Sequence, residues 1–388
     1  LLKVIDLFAK SLENKKQTDA ISLDFSRAFD VVPHQRLLLK MNYYGVWNQE
    51  TITMDQRLLS SRKKSVMIDG VHSEYVSVIS GLPQGTVLAA LLFLVFINDL
   101  PESVTESFTG VFCDDTLIAK EIVREGDAIE LQNDMNKIYD WTKTWQMKFN
   151  TDKCVFMTIT NKTKPLLNNY HINNEALFKK EMIKYLGVTI DSKLSFNQHI
   201  RDKCKRATTV LNMLKRNLFF APSSVKSKAY QACVLPIIEY GSTCWSPTSL
   251  KQLNSLEMVH HNAAKFVSNI YPRKGKFEHF SIHKVLNELG WNSLEKRRNQ
   301  SRLIMTYKII NGLVILEPDM MPRVDYQRSR KCNETKVGYK NQLIEPPCNI
   351  QAAQSTFFYA TPNLWNNCIT PIQANAPSVE AFRQHFKK

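Results

Sequence analysis

Residues 111–118 read Val111-Phe112-Cys113-Asp114-Asp115-Thr116-Leu117-Ile118, two adjacent acids inside an otherwise apolar stretch. An isolated Asp-Asp is usually just a turn, because aspartate favours turns. Here the flanks are strongly apolar, so the stretch is predicted to be a hairpin with both acids at a rigid, half-buried tip. Upstream, Ala20-Ile21-Ser22-Leu23-Asp24-Phe25 alternates at strand period, which sets Asp24 on the face opposite Ile21, Leu23 and Phe25. Between them, Ser80-Gly81-Leu82-Pro83-Gln84-Gly85-Thr86 is a glycine-rich loop opening the apolar run from Val87 to Ile97. Carboxylates converging from a strand end and a hairpin tip suit Mg²⁺, which takes oxygen ligands. Two such ions, ~3.5–4 Å apart, stabilise both the attacking and the leaving oxygen of a phosphoryl transfer.

The chain has 388 residues, room for two or three domains at about 100–200 residues each. Hydrophobic residues make up 44% and charged residues 22%, the balance of a globular protein with a real core. A net charge of +15 favours a polyanionic partner, nucleic acid above all, although a merely basic surface has the same signature. The eight cysteines show no zinc-ligand spacing and are too sparse for a disulfide scaffold, which fits reduced thiols in an intracellular protein. The apolar run from Val87 to Ile97 is well short of the roughly 20 residues that cross a bilayer, so no membrane association is expected. The opening Leu1-Leu2-Lys3 has no methionine and no signal pattern, and reads as a segment of a longer product.

Residues 1–19 suggest a short helix running into the strand that ends at Asp24. Arg36 to Tyr44 reads as a helix closed by Gly45. Strand-like pieces flank the turn Asp69-Gly70, and Thr86 is placed to cap the apolar helix after it. Ala128, Leu131, Met135, Ile138, Trp141 and Trp145 recur at three- and four-residue spacing, which predicts an amphipathic helix over 127–146. From about residue 200 helical patterns dominate, as in Leu250, Leu253, Leu256, Val259, Ala263, Phe266 and Ile270. Basic clusters appear there too: Arg201, Lys203, Lys205 and Arg206, then Lys296, Arg297 and Arg298. The expected domains are 1–199, 200–316 and 317–388.

The order of these pieces carries a resemblance. Ala20 to Asp30 (AISLDFSRAFD) with Val32-Pro33-His34, Ser80 to Leu88 (SGLPQGTVL), Phe112-Cys113-Asp114-Asp115, Trp145 to Asn150 (WQMKFN) with Lys153, and Lys184-Tyr185-Leu186-Gly187-Val188 follow one another. Together they resemble the successive motifs of non-LTR retrotransposon reverse transcriptases of the jockey and chicken-repeat type. Several ordered motifs at family-like spacing are far more specific than any single one.

The resemblance implies an α+β fold. A right-hand polymerase palm, with an antiparallel sheet and helices on one face, is followed by a helical thumb and a C-terminal region. It implies RNA-directed DNA polymerisation: an RNA template, a DNA primer and deoxynucleoside triphosphates, with two Mg²⁺ ions. Asp24, Asp114 and Asp115 match the catalytic and metal-binding acids, and the Phe25 carbonyl completes the metal shell. Phe29 matches the bulky residue beside the sugar, Gln84 and Gly85 the loop under the base pair, and Lys153 the lysine near the triphosphate. Tyr185, Leu186 and Gly187 match the primer grip. Arg201, Lys203, Lys205 and Arg206 fall in the thumb, where cations can neutralise nucleic-acid phosphates. Outside that pattern, Phe29 would be a core aromatic, the two glycines a plain turn, and Lys153 and the basic cluster solvated surface.

Two positions depart from the family: Ala89-Ala90 replaces Gly-Pro, and Cys113 replaces Ala. Counterparts of the fingers and of the upstream endonuclease are missing, so the truncated chain is expected to polymerise weakly or not at all. A catalytically dead nucleic-acid-binding remnant and a two-metal nuclease remain as alternatives. The loop at Gln84 and the residue at Phe29 argue against the nuclease, since hydrolysis needs neither. The family implies a nuclear or cytoplasmic location.

Overall fold

The computed structural model describes residues 1–45, 59, 62–270, 281–323 and 342–386. Its contacts divide the chain into two compact units, Lys15–Gly187 and the pair Leu1–Asn14 with Val188–Lys388. These limits differ from the expected 1–199, 200–316 and 317–388, for reasons local to each junction. Helix α1 (Leu2–Glu13) buries Val4, Ile5, Phe8, Ala9 and Leu12. Its last residue, Glu13, accepts the backbone N–H groups of Asn349 at 2.7 Å and Ile350 at 3.0 Å, which ties α1 to the C-terminal part of the chain. At the other junction, Asp191 accepts the N–H groups of Lys193, Ser195 and Phe196 at 2.8–3.1 Å and so leads the chain into the next helix.

The unit from Lys15 to Gly187 is built on a five-stranded sheet. Its strands are β1 (Gln17–Leu23), β2 (Phe108–Phe112), β3 (Asp115–Ile122), β4 (Val155–Thr160) and β5 (Phe178–Lys179). Their spatial order is β5-β4-β1-β3-β2, antiparallel throughout except for the parallel β5-β4 pair. The alternation read from the sequence decides the faces: Ile21, Leu23 and Phe25 join Ile118 and Phe156 in one core cluster. Three helices cover that face and share the cluster. Helix α2 (His34–Tyr44) supplies Leu37 and Met41, and ends at Gly45, whose φ of +58° forms the expected left-handed cap. Helix α3 (Val87–Ile97) supplies Leu92, Phe93, Phe96 and Ile97, and the Thr86 hydroxyl accepts the Ala89 N–H at 3.2 Å as its N-cap. Helix α4 (Glu125–Thr144) supplies Leu131, Met135, Ile138 and Trp141, the predicted stripe. It starts slightly earlier than expected, because the Asp127 carboxylate accepts the Val123 and Arg124 N–H groups at 2.7 and 2.9 Å. The turn Asp69-Gly70 joins two-residue strands at 67–68 and 71–72 as expected.

The second unit is mostly helical. After strand-forming residues 188–191 come α5 (Asn197–Asn217), α6 (Leu250–Val267), α7 (Leu294–Ile310) and α8 (Phe357–Cys368), with shorter helices between them. The α6 stripe Leu256, Val259, Ala263 and Phe266 is buried as predicted, whereas Leu250 at its start is 78% exposed. Leu303 and Tyr307 of α7 pack with Trp365 of α8 and Phe382. Among the described residues, no helix is long and apolar enough to cross a membrane.

Candidate active site

The β1–β3 ladder ends at the pair Leu23–Thr116. The next residue on each strand is an acid, Asp24 after β1 and Asp115 at the start of β3. Side chains alternate along a strand, so both lie on the face opposite the helix-packed core. Asp114 sits one residue further out, in the two-residue turn Cys113-Asp114 that the pair Phe112–Asp115 closes. Cys113 takes a φ of +52° there. The predicted hairpin with acids at its tip is therefore present, but the tip is not half-buried. Asp114 and Asp115 are exposed and Phe112 is 63% exposed, because β2 is the edge strand of the sheet.

The three acids share one electrostatic field. Although Asp115 is exposed overall, partial desolvation of its carboxyl, then the charges of Asp114 and Asp24, hold it above the usual range, against an opposing pull from Lys184. The same field reaches its neighbours. Burial and the charges of Asp114 and Asp115 push the Cys113 thiol up. Burial with Asp115 pushes the Tyr185 hydroxyl up to about 12. Burial pushes the Cys154 thiol up to about 11, with Asp24's charge adding to it. The carboxylates are nevertheless not drawn into a ligand cluster. Among the described residues, no group of three or more His, Cys, Asp or Glu is placed to hold a metal ion.

Asp24 is fixed from behind. Its carbonyl accepts the Asn150 N–H at 2.8 Å, and its N–H meets the Cys154 sulfur at 3.4 Å. On its open side the Lys153 ammonium, 65% exposed, lies 3.6 Å from Oδ1. Phe25 turns inward, bridges to Phe149 and lies 4.6 Å from its ring. Phe29 is half-buried and stacks on Phe93 at 4.4 Å, so one of its faces belongs to the core.

The glycine-rich loop rests against the end of the first motif. Gly81 and Leu82 donate their N–H groups to the carbonyls of Val32 (2.9 Å) and Phe29 (2.8 Å), and Ser80 bridges to Pro33. Gly81 has a φ of +88°, and a Cβ there would come within 2.5 Å of the Asp30 carbonyl oxygen, so no other residue fits. Gly85 has a φ of +84° with open space where its Cβ would lie. Gln84 is exposed and donates from Nε2 to Asp30 Oδ1 at 2.6 Å. Asp30 closes the first motif, yet nothing in its local sequence marked it out, because the partner lies far along the chain.

Strand β6 (Met182–Tyr185) carries Tyr185, which is buried and donates to the Gly110 carbonyl at 3.3 Å. Leu186 and Gly187 follow in a turn with φ values of +46° and +75°. In the other unit, Arg201, Lys205 and Arg206 are exposed on α5, while Lys203 is partly covered and its ammonium lies 5.2 Å from the centre of the Tyr240 ring. The cluster at 296–298 does not offer three free cations. Arg297 binds Glu239 through both nitrogens of its fork, and Arg298 is buried.

Residues 3–190 match the family described as reverse transcriptase (RNA-dependent DNA polymerase). The RNA-directed DNA polymerase from mobile element jockey of Drosophila melanogaster is 26% identical over 283 residues, 69% of this chain and 30% of the relative. The probable RNA-directed DNA polymerase from transposon BS, also of Drosophila melanogaster, is 26% identical over 298 residues, 72% and 32% of the two chains. A telomerase from Candida albicans, solved with a fragment of telomeric RNA, aligns with a TM-score of 0.37 and 10% identity over 74% of this chain and 49% of its own. The chain thus spans about 30% of the length of the curated relatives it matches. Residues 3–190 form a reverse transcriptase domain of the kind carried by non-LTR retrotransposons.

Proposed function

We propose that this domain is built to extend a DNA primer on an RNA template, joining each deoxynucleotide to the primer 3′-hydroxyl, and that the 388-residue chain does so weakly or not at all. The observation that carries the reading is the register that brings Asp24 and Asp115 to neighbouring strand ends, with Asp114 in the tight turn beside them. The donor set fits a hard cation, since all three ligands are carboxylate oxygens and their repulsion, felt at Asp115, is what a divalent ion relieves. The acids stand open rather than closed around an ion, so only the donor chemistry supports the assignment. Two bound Mg²⁺ ions would neutralise the charge that develops on the transferring phosphoryl group.

The remaining roles follow from position. Phoshoryl transfer depends mainly on positioning and on charge stabilisation, so what the chain must supply is a fixed nucleotide. Phe29 is held by Phe93 and limits space beside the sugar. Gln84 and Gly85 offer a polar side chain and a bare backbone to the base pair. Lys153, at the Asp24 end of the site, meets the triphosphate. The buried Tyr185 supports the acid hairpin from beneath, leaving the turn at Leu186 and Gly187 to meet the primer end. Arg201, Lys205 and Arg206 bind nucleic-acid phosphates, and Lys203 adds less because Tyr240 covers it.

The test is Mg²⁺-dependent extension of a DNA primer on an RNA template by the chain and by D24N and D114N. Loss of extension in both variants supports the reading. Extension that survives D114N overturns it, and template binding with no Asp114-dependent extension favours a nucleic-acid-binding remnant.

A further inference from the structure

We propose that Asp30 is a positioning residue for the nucleotide site, orienting the Gln84 side chain through its carboxylate while its backbone seats the loop that carries Gln84. The proposal rests on the polymerase reading above.

Two loops distant in sequence meet here. The Phe29–His34 segment receives the Gly81 and Leu82 N–H groups at Val32 and Phe29. The His34 Nε2 lies 2.8 Å from the Gly81 carbonyl, and the Ser80 hydroxyl donates to the Asp30 carbonyl at 3.4 Å. Gly81 is packed so closely on Asp30 that a Cβ would not fit. These contacts fix the start of the loop. Beyond Leu82, the Asp30 carboxylate reaches Gln84 itself at 2.6 Å.

The chemistry of that bond sets what Gln84 presents. A carboxylate accepts only, so it takes one N–H of the amide and turns Oε1, with the second N–H, toward what a nucleotide would meet. Both side chains are exposed, so the bond adds little to stability. Its effect is to choose one orientation among several. Phe29 and Gln84 are also coupled, since Phe29 gives its carbonyl to the same loop and its ring to Phe93. The residue beside the sugar and the loop that carries the residue beside the base are therefore tied by a backbone hydrogen bond.

Two measurements test this. In NMR spectra, the Gln84 side-chain amide signal is assigned by its loss in Q84A, and should shift in D30A and recover in D30N, which keeps an acceptor oxygen. In primer extension, D30A and Q84A should each raise the KM for the incoming nucleotide roughly fivefold, the weight of one such bond, with kcat less affected. D30N should rescue, and D30A/Q84A should be no worse than either single variant. An amide signal indifferent to D30A overturns the contact whether or not the chain polymerises. An unchanged KM in D30A, or additive losses in the double variant, overturns the positioning role. Extension by the unaltered chain that survives D114N would count against the polymerase reading instead.

Discussion

The Lys153 ammonium lies 3.6 Å from Oδ1 of Asp24, the acid that ends the central strand. The side chain proposed above to meet the triphosphate thus pairs with a carboxylate proposed above to hold a metal ion. On that proposal lysine and cation would compete for one carboxylate, and a nucleotide bringing both phosphate and metal would resolve the competition.

Removing the lysine should therefore help the metal. K153Q should tighten Mg²⁺ binding at the acids, by up to about fivefold at low salt, because an exposed pair is worth at most roughly 1 kcal/mol. Calorimetric titration with Mg²⁺ alone checks it. Equal or weaker binding in K153Q would detach Lys153 from the acid site.

Asp115 should limit stability when no cation is present. Its folded carboxyl sits above the usual range, so its ionised form is disfavoured in the folded chain, and that cost fades as pH falls through the raised value. D115N should unfold at a higher temperature than the unaltered chain at pH 7 without Mg²⁺, and the gap should narrow as acid is added. A lower melting temperature for D115N at pH 7 would contradict the reading.

Lys40 is a buried cation boxed by aromatic rings. Its ammonium pairs with Asp99 and lies 3.7 Å from the centre of the Trp145 ring and 4.8 Å from that of Trp141. K40A should cost on the order of 3 kcal/mol in denaturant unfolding, since Asp99 loses its counter-charge, and K40M should cost less because it keeps the packing. Burial holds the Lys40 amine down to about 8. Between pH 8 and its ordinary range near 10.5 the folded chain releases this proton before the unfolded one does, so this group's contribution to stability should rise with pH across that window. A denaturant midpoint that falls faster there than in K40M would reverse the sign.

His199 and His260 make the C-terminal unit acid-sensitive. His260 accepts from the Tyr230 hydroxyl at Nδ1 (2.7 Å) and donates from Nε2 to the Asn292 carbonyl (3.1 Å), which selects the neutral ring. The His199 Nδ1 accepts the Thr189 N–H at 3.2 Å. Burial lowers both to about 4. The unfolded chain takes up these protons first, so stability should fall as pH drops from about 6.5 toward 4, by up to roughly 3 kcal/mol for each ring. H260Q should flatten the pH profile of unfolding, and an unchanged slope would remove His260 from the effect.

Nucleic-acid binding should depend on three α5 cations more than on the fourth. Neutralising Arg201, Lys205 and Arg206 together should reduce the slope of log affinity against log salt by roughly 2 to 3. K203Q alone should change it little, since Tyr240 covers that ammonium. An equal loss from K203Q would mean that Lys203 leaves the ring to meet phosphate.

The elements were legible where periodicity encodes burial. The alternation at Ile21, Leu23 and Phe25, the α4 stripe, the Thr86 cap and the Gly45 stop all follow from local chemistry that needs no distant partner. The exposure of the acid tip is not legible in the sequence, because apolar flanks say that a hairpin is packed somewhere but not that its outer strand is a sheet edge. The cluster at Lys296, Arg297 and Arg298 looked like open charge until Glu239, far upstream, proved to hold Arg297.

By itself the sequence determined which residues are acids at strand ends and which glycines punctuate the loops, because side-chain period and turn chemistry are properties of neighbours in the chain. Only the tertiary structure decided that Asp24 ends beside Asp115, that Asp30 reaches Gln84, that Lys40 lies among tryptophans, and that the first fourteen residues group with the C-terminal part. Each of those facts depends on which distant segments become neighbours. That choice is made by burying many apolar faces at once, and no single stretch of sequence records it.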